Sequence, residues 1–184
     1  MLRNRTHPTH FWVYTALLIA LGVLVPLLFH QFGIAGKVFL PMHFPVLIGG
    51  LLFGPFSGVL VGLFSPVLSF LLTGMPPFPT VLMMVPELMT YGAISGWLHM
   101  RFKINVWIAL PAAIVAGRIV YGLAWWAMFH ILNLPVTPLF AVIGGVTIGL
   151  PGIISQLVLI PLFIKKFSHN RIDNKEEEIV RNTP

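Results

Sequence analysis

Long apolar runs alternate along the chain with short polar or proline-rich breaks. A helix needs roughly 20 apolar residues to cross the hydrocarbon of a bilayer. On that measure spans are expected at residues 11–29, 38–54, 55–73, 81–99, 104–130 and 139–164. The densest stretch is residues 37–80, which carries no charge between Lys37 and Glu87 yet is broken by prolines 41, 45, 55, 66, 76, 77 and 79. Nothing in it would make a solvated face. It reads as a lipid-embedded hairpin with flanking re-entrant loops. Only Gly54-Pro55 separates the second run from the third, so one kinked helix and five spans are the alternative. Charge decides between them. With six spans Arg3, Arg5, Arg101, Lys103, Lys165, Lys166 and Arg171 share one side, and the opposite loops hold only Lys37. Five spans would split the basic clusters, against the positive-inside tendency. Six spans with both termini cytoplasmic are therefore expected.

Composition agrees. Hydrophobic residues make up 57% of the 184 and charged residues 9%, where soluble domains carry about 25% charged residues. One all-α membrane domain over residues 1–166 is expected, followed by a polar, partly frayed cytoplasmic tail at 167–184 with Glu176, Glu177 and Glu178 in a row. The net charge of +6 sits in clusters between apolar runs, which is a topology signal and no nucleic-acid footprint. The absence of cysteine removes disulfide and thiolate chemistry. Arg3 and Arg5 precede the first run as in a signal peptide, but that run is long and lacks a small-residue cleavage site, so it is expected to stay as the first helix.

Within the spans only Glu87 and Arg118 are formally charged. A charge at the bilayer centre costs roughly 2.5–3.5 kcal/mol on insertion scales. Both must therefore face protein, paired with each other or through a ligand or water. Helical spacing puts Tyr91 on the face of Glu87, and Tyr121 and Trp125 on the face of Arg118. Aromatic walls around a few fixed polar groups suit a small planar or amphipathic ligand, although such a stripe is also what a core or an interfacial belt contains. Trp125 and Trp126 point apart, so one of them at most faces a pocket. His43 stands at the start of the second span, either as a hydrogen-bonded structural residue or as part of the site. Asn133, Thr137 and Thr147 are weaker polar candidates, and Gln156 belongs to the opposite half. No second histidine or carboxylate lies near His43 at metal-ligand spacing, so no metal and no cofactor are expected.

Residues 30–41 and 74–80 form two loops on the far side from the basic clusters. The second, GMPPFPT, cannot be helical, because consecutive prolines remove donors and restrict their neighbours. Both loops act either as a lid or as stiff connectors. Small residues mark close helix approach: Ala16 with Ala20, Gly58 with Gly62, then Gly49, Gly50, Gly144, Gly145 and Gly149. No HExxH, GxSxG or GxxxxGK[ST] motif occurs, so no enzyme is expected, and any pumping must draw on ATP hydrolysis elsewhere. Three roles remain open on these residues: a substrate-binding transport subunit, an autonomous carrier with Glu87 as proton site, and a scaffold in which Glu87 and Arg118 merely pair.

Six short spans, the AxxxA pair Ala16 and Ala20, and the run LPMHFPVLIGGLLFGPFSGVLVGLFSPVLSFLLTGMPP resemble the S component of energy-coupling factor (ECF) transporters. The resemblance covers the chain from about Thr15 to Ile164, and its central run is the more specific part. It implies a compact six-helix bundle that captures a vitamin or precursor from outside a bacterial cell. Such a subunit docks through small residues of its first helices on a transmembrane T component carrying two ATPases, and is thought to topple to release its cargo. Carried over residue by residue, the resemblance implies docking at Ala16, Ala20, Gly58 and Gly62. It implies substrate binding at His43, Met75, Glu87, Tyr91, Arg118, Tyr121 and Trp125. LPMHFPV and LLTGMPP look most like the dimethylbenzimidazole/α-ribazole branch. Glu87 would accept from a benzimidazole N–H and Trp125 would stack on the ring, while pantothenate, folate and riboflavin stay open and a pantothenate carboxylate would want Arg118.

Overall fold

The computed structural model describes residues 8–30, 38–132 and 137–182. Lys37, Asn133 and most of the first of the two loops lie outside them. Among the described residues there are helices and no strand: α1 (Pro8–His30), α2 (His43–Phe53), α3 (Pro55–Thr73), α4 (Thr80–Gly96), α5 (Val106–Leu132) and α6 (Pro138–Asn182). A wider π-type turn, Trp97–Arg101, prolongs α4. Five of these helices are long and apolar enough to cross a membrane, and α2 is a shorter apolar one. The chain is an all-α, multi-pass membrane protein.

Neighbouring contacts give the path of the chain. Gly54, at φ +97°, ends α2, and Pro55 starts α3, which folds back so that Gly49 faces Ser57 and Val61. Gly58 then meets Gly92 and Gly62 meets Leu88, so α4 runs against α3. Arg118 reaches Glu87 on α4 and Gly145 on α6, so α5 and α6 continue the up-and-down order. α1 lies along α3, held by a 2.9 Å hydrogen bond between the Thr15 and Ser57 hydroxyls. The exposed Arg101, Lys103, Lys165 and Lys166 consequently gather at one end, called here the basic end. α4 is central, packed on α2, α3 and α5.

Two expectations are corrected. The second span, expected over 38–54, is an 11-residue helix about 16 Å long, near half the hydrocarbon thickness. Leu40 lies at φ +51°, just before Pro41, which disfavours helix in the residue it follows. Residues 38–40 instead cross α6, their backbone seated on Gly152 and the Leu40 side chain against Gly149. Val38 and Phe39 are helical, so the break before α2 is confined to residues 40–42, where irregular backbone is tolerable because it is packed on protein. The polar tail, expected to fray, continues α6 to Asn182. No glycine or proline follows Pro161 until Pro184, so nothing in that stretch breaks a helix.

The buried core, including Val46, Leu47, Leu51, Leu110, Ala113, Ile160 and Ile164, fills the half of the bundle beside α2. Glycine makes that half tight. A Cβ at Gly92 would run into the Gly58 backbone, and one at Gly50 into Gly92. Without a hydrophobic force between helices in lipid, such close approach is what holds them. Gly58 and Gly62, expected on a docking face, are turned inward onto α4, and their smallness serves this internal contact. Ala16 and Ala20 are exposed on α1. Gly92→Leu should lower the thermal unfolding temperature in detergent sharply, at an overpacking cost of about 1–3 kcal/mol or more. Gly144→Ala, with nothing within 4 Å of its new Cβ, should change stability by less than about 1 kcal/mol.

Candidate substrate-binding site

Glu87 sits one turn before Tyr91 on α4, so both side chains turn toward α5. The Tyr91 hydroxyl donates to Glu87 Oε1 at 2.7 Å. From α5, Arg118 Nη1 reaches the same oxygen at 3.0 Å, with the two side chains 13% and 3% exposed. Gly117 makes this meeting possible, because any side chain there would collide with the Tyr91 ring. On α6, Gly145 and Gly149 leave room for the guanidinium. Their Cβ atoms would stand 3.7 Å from Nη1 and Nη2.

An aromatic ladder leads away on both sides. Arg118 lies 5.8 Å from the Tyr121 ring centre, and Tyr121 meets Trp125 edge-on at 6.4 Å. Toward the core, the His43 ring packs 5.3 Å from that of Tyr91. Its place follows from the shortness of α2: as first residue of that helix, it lies at mid-depth beside Tyr91. The ring is buried beside the Leu40 backbone. The Leu40 carbonyl beside it accepts the His43 backbone N–H at 3.0 Å.

Arg118 Nε and Nη2 are buried here without a partner. Native proteins bury few such groups, each at a cost of about 1–3 kcal/mol. Both are donors. What is missing is an acceptor.

Of the residues expected at the site, His43, Glu87, Tyr91, Arg118, Tyr121 and Trp125 form one continuous group. Met75 is 40% exposed in the loop before α4, five residues ahead of Thr80, and no contact links it to this group among the described residues. Trp125 is turned in at 9% exposure and Trp126 out at 58%. Thr147 bonds its own helix at Ile143 and is exposed. Sequence reasoning missed Gly117 as the space for Tyr91. The Gly145/Gly149 pair was visible as small-xxx-small spacing, but its neighbour was not. No cluster of three or more metal-binding side chains occurs among the described residues.

A family model for the ECF transporter substrate-specific component matches residues 10–164. The chain belongs to this family. A comparison with curated proteins found no match, and neither did one with solved structures. As an ECF S component the chain is a substrate-binding transport subunit for a small molecule, working with a T component and ATPases. The S component therefore needs no catalytic constellation, and an internal polar group at mid-depth is the feature its task calls for.

The pair should be energetically coupled. Arg118→Met leaves Glu87 buried without its cation, which costs about 3–5 kcal/mol. Adding Glu87→Gln should recover most of the lost thermal stability in detergent. A double variant no more stable than Arg118→Met would mean that the two charges do not support each other.

Proposed function

We propose that the chain captures a vitamin or vitamin precursor from outside the cell and hands it to a T component with two ATPases, with dimethylbenzimidazole or α-ribazole as ligand. The observation that carries this reading is the buried, unpartnered Nε and Nη2 donors of Arg118, walled by Tyr121 and Tyr91. Aromatic faces plus a few fixed polar atoms are the usual make-up of a small-molecule site. His43 adds a donor and an acceptor at its floor. Pantothenate is the second reading, favoured by the free edge of the Arg118 guanidinium, whose geometry also suits a carboxylate.

The gathering of Arg101, Lys103, Lys165 and Lys166 at one end supports a cytoplasmic assignment for that end and for both termini. His43, at the other end of α2, and the ladder toward Trp125 then lie on the exterior side. α1 contributes only one face to the bundle, and Ala16 and Ala20 lie on the other. That flat strip is our docking surface for the T component, following the close-approach logic of small residues in lipid.

Uptake into proteoliposomes should require ATP and the separate ATPases. Uptake without ATP, steeply dependent on pH, would instead support a carrier using Glu87. Ala16→Trp should abolish copurification with the T component and leave ligand binding unchanged. Arg118→Ala should weaken binding by at least tenfold, more than Lys37→Ala does. Native mass spectrometry after gentle extraction reads both. Equal losses from the two substitutions would remove Arg118 from the site.

A further inference from the structure

We infer that Glu87 is a charge filter: by neutralising Arg118 it sets the site for an uncharged, acceptor-bearing planar ligand and rejects anions. The inference rests on the capture reading above and deepens it to a ligand class.

The geometry of the guanidinium carries the argument. Glu87 takes Nη1, while Nε and Nη2 are buried with no partner. Those two nitrogens share the other edge of the plane and present two parallel N–H bonds, a fork that matches two adjacent acceptor atoms. Trp125, edge-on to Tyr121, extends the aromatic wall on the same helix face. A ligand that satisfies the fork brings oxygen or ring nitrogen acceptors, with a flat body against Tyr121.

Shape alone does not separate a neutral ligand from a carboxylate, because one ring nitrogen or carbonyl oxygen can accept from both arms of the fork, as the two oxygens of a carboxylate can. Charge does. Glu87 and Arg118 are the only formally charged residues from 38 to 100 and from 104 to 164, and they sum to zero. An uncharged ligand leaves that balance intact. A carboxylate on the free fork would place a second negative charge on the far edge of the guanidinium from Glu87, in a medium too apolar to screen it. Glu87 is not free to turn away, since Tyr91 donates to the same oxygen. Nor does the floor of the site supply a fixed second cation, because His43 is its remaining titratable neighbour on α2 and its ring is buried beside Tyr91. This favours a neutral heterocycle such as benzimidazole, alone or carrying hydroxyls, over pantothenate.

The test starts from the full-length protein in detergent. The small molecule released on denaturation is identified, and binding is measured for matched probes: benzimidazole against benzimidazole-5-carboxylate, and nicotinamide against nicotinate. The wild type should release an uncharged ligand and favour the neutral member of each pair it binds by at least tenfold. Glu87→Gln should cut that preference by tenfold or reverse it, and Glu87→Asp should retain it. A purely structural role for Glu87 would weaken both members alike. Should Glu87→Gln fail to fold, Glu87→Asp and the charge of the released molecule decide. A released carboxylate or phosphate, or a preference unchanged in Glu87→Gln, overturns the filter and leaves the capture reading standing. No released molecule and no probe retained by the wild type overturns both.

Discussion

Two opposite charges must find each other inside a bundle that lipid surrounds, and most of the structure follows from that constraint. Neither Glu87 nor Arg118 is tolerable against acyl chains, so α4 and α5 must be neighbours and must face each other at that depth. Their meeting in turn requires Gly117, which makes room for Tyr91, while Gly145 and Gly149 border the guanidinium on the α6 side. The Tyr91 hydroxyl completes the arrangement by holding Glu87 in place. What results is a neutral, hydrogen-bonded pair whose cation keeps one edge free.

Function then depends on a contrast between the two halves of the bundle. The basic half is filled with aliphatic side chains and drawn together by glycines that bring α2, α3 and α4 into backbone contact. Such packing is stiff, because two helices in contact at the backbone have no side chains to rearrange. Above it α2 stops, and a crossing segment, an aromatic ladder and unpartnered donors take its place. A site is most precise when it stands on rigid elements. The shortness of α2 supplies both conditions at once, a solid floor below His43 and space for recognition beyond it.

The same economy separates the two faces an S component needs. The candidate binding group lies between α4, α5 and α6, while α1, tied to α3 by Thr15 and Ser57, leaves Ala16 and Ala20 exposed. A partner docking there would touch no side chain that holds the ligand. Communication between the two would have to pass through the glycine-packed half, which is suited to moving as a body.

Much of this was legible in residues alone. Apolar run lengths located five long apolar helices, since a span in lipid has to satisfy its backbone internally and so has to be helical. Two isolated charges announced the site, because lipid leaves them no alternative to each other or to a ligand. Spacing of three and four brought Tyr91, Tyr121 and Trp125 to the right faces. Tertiary structure alone decided which glycines face a partner helix and which remain open, that α2 begins only at His43, beside Tyr91, and that Arg118 keeps its Nε–Nη2 edge free. Those outcomes depend on which surfaces meet across helices far apart in the chain, and a one-dimensional pattern reports the face a residue occupies but not what lies opposite it.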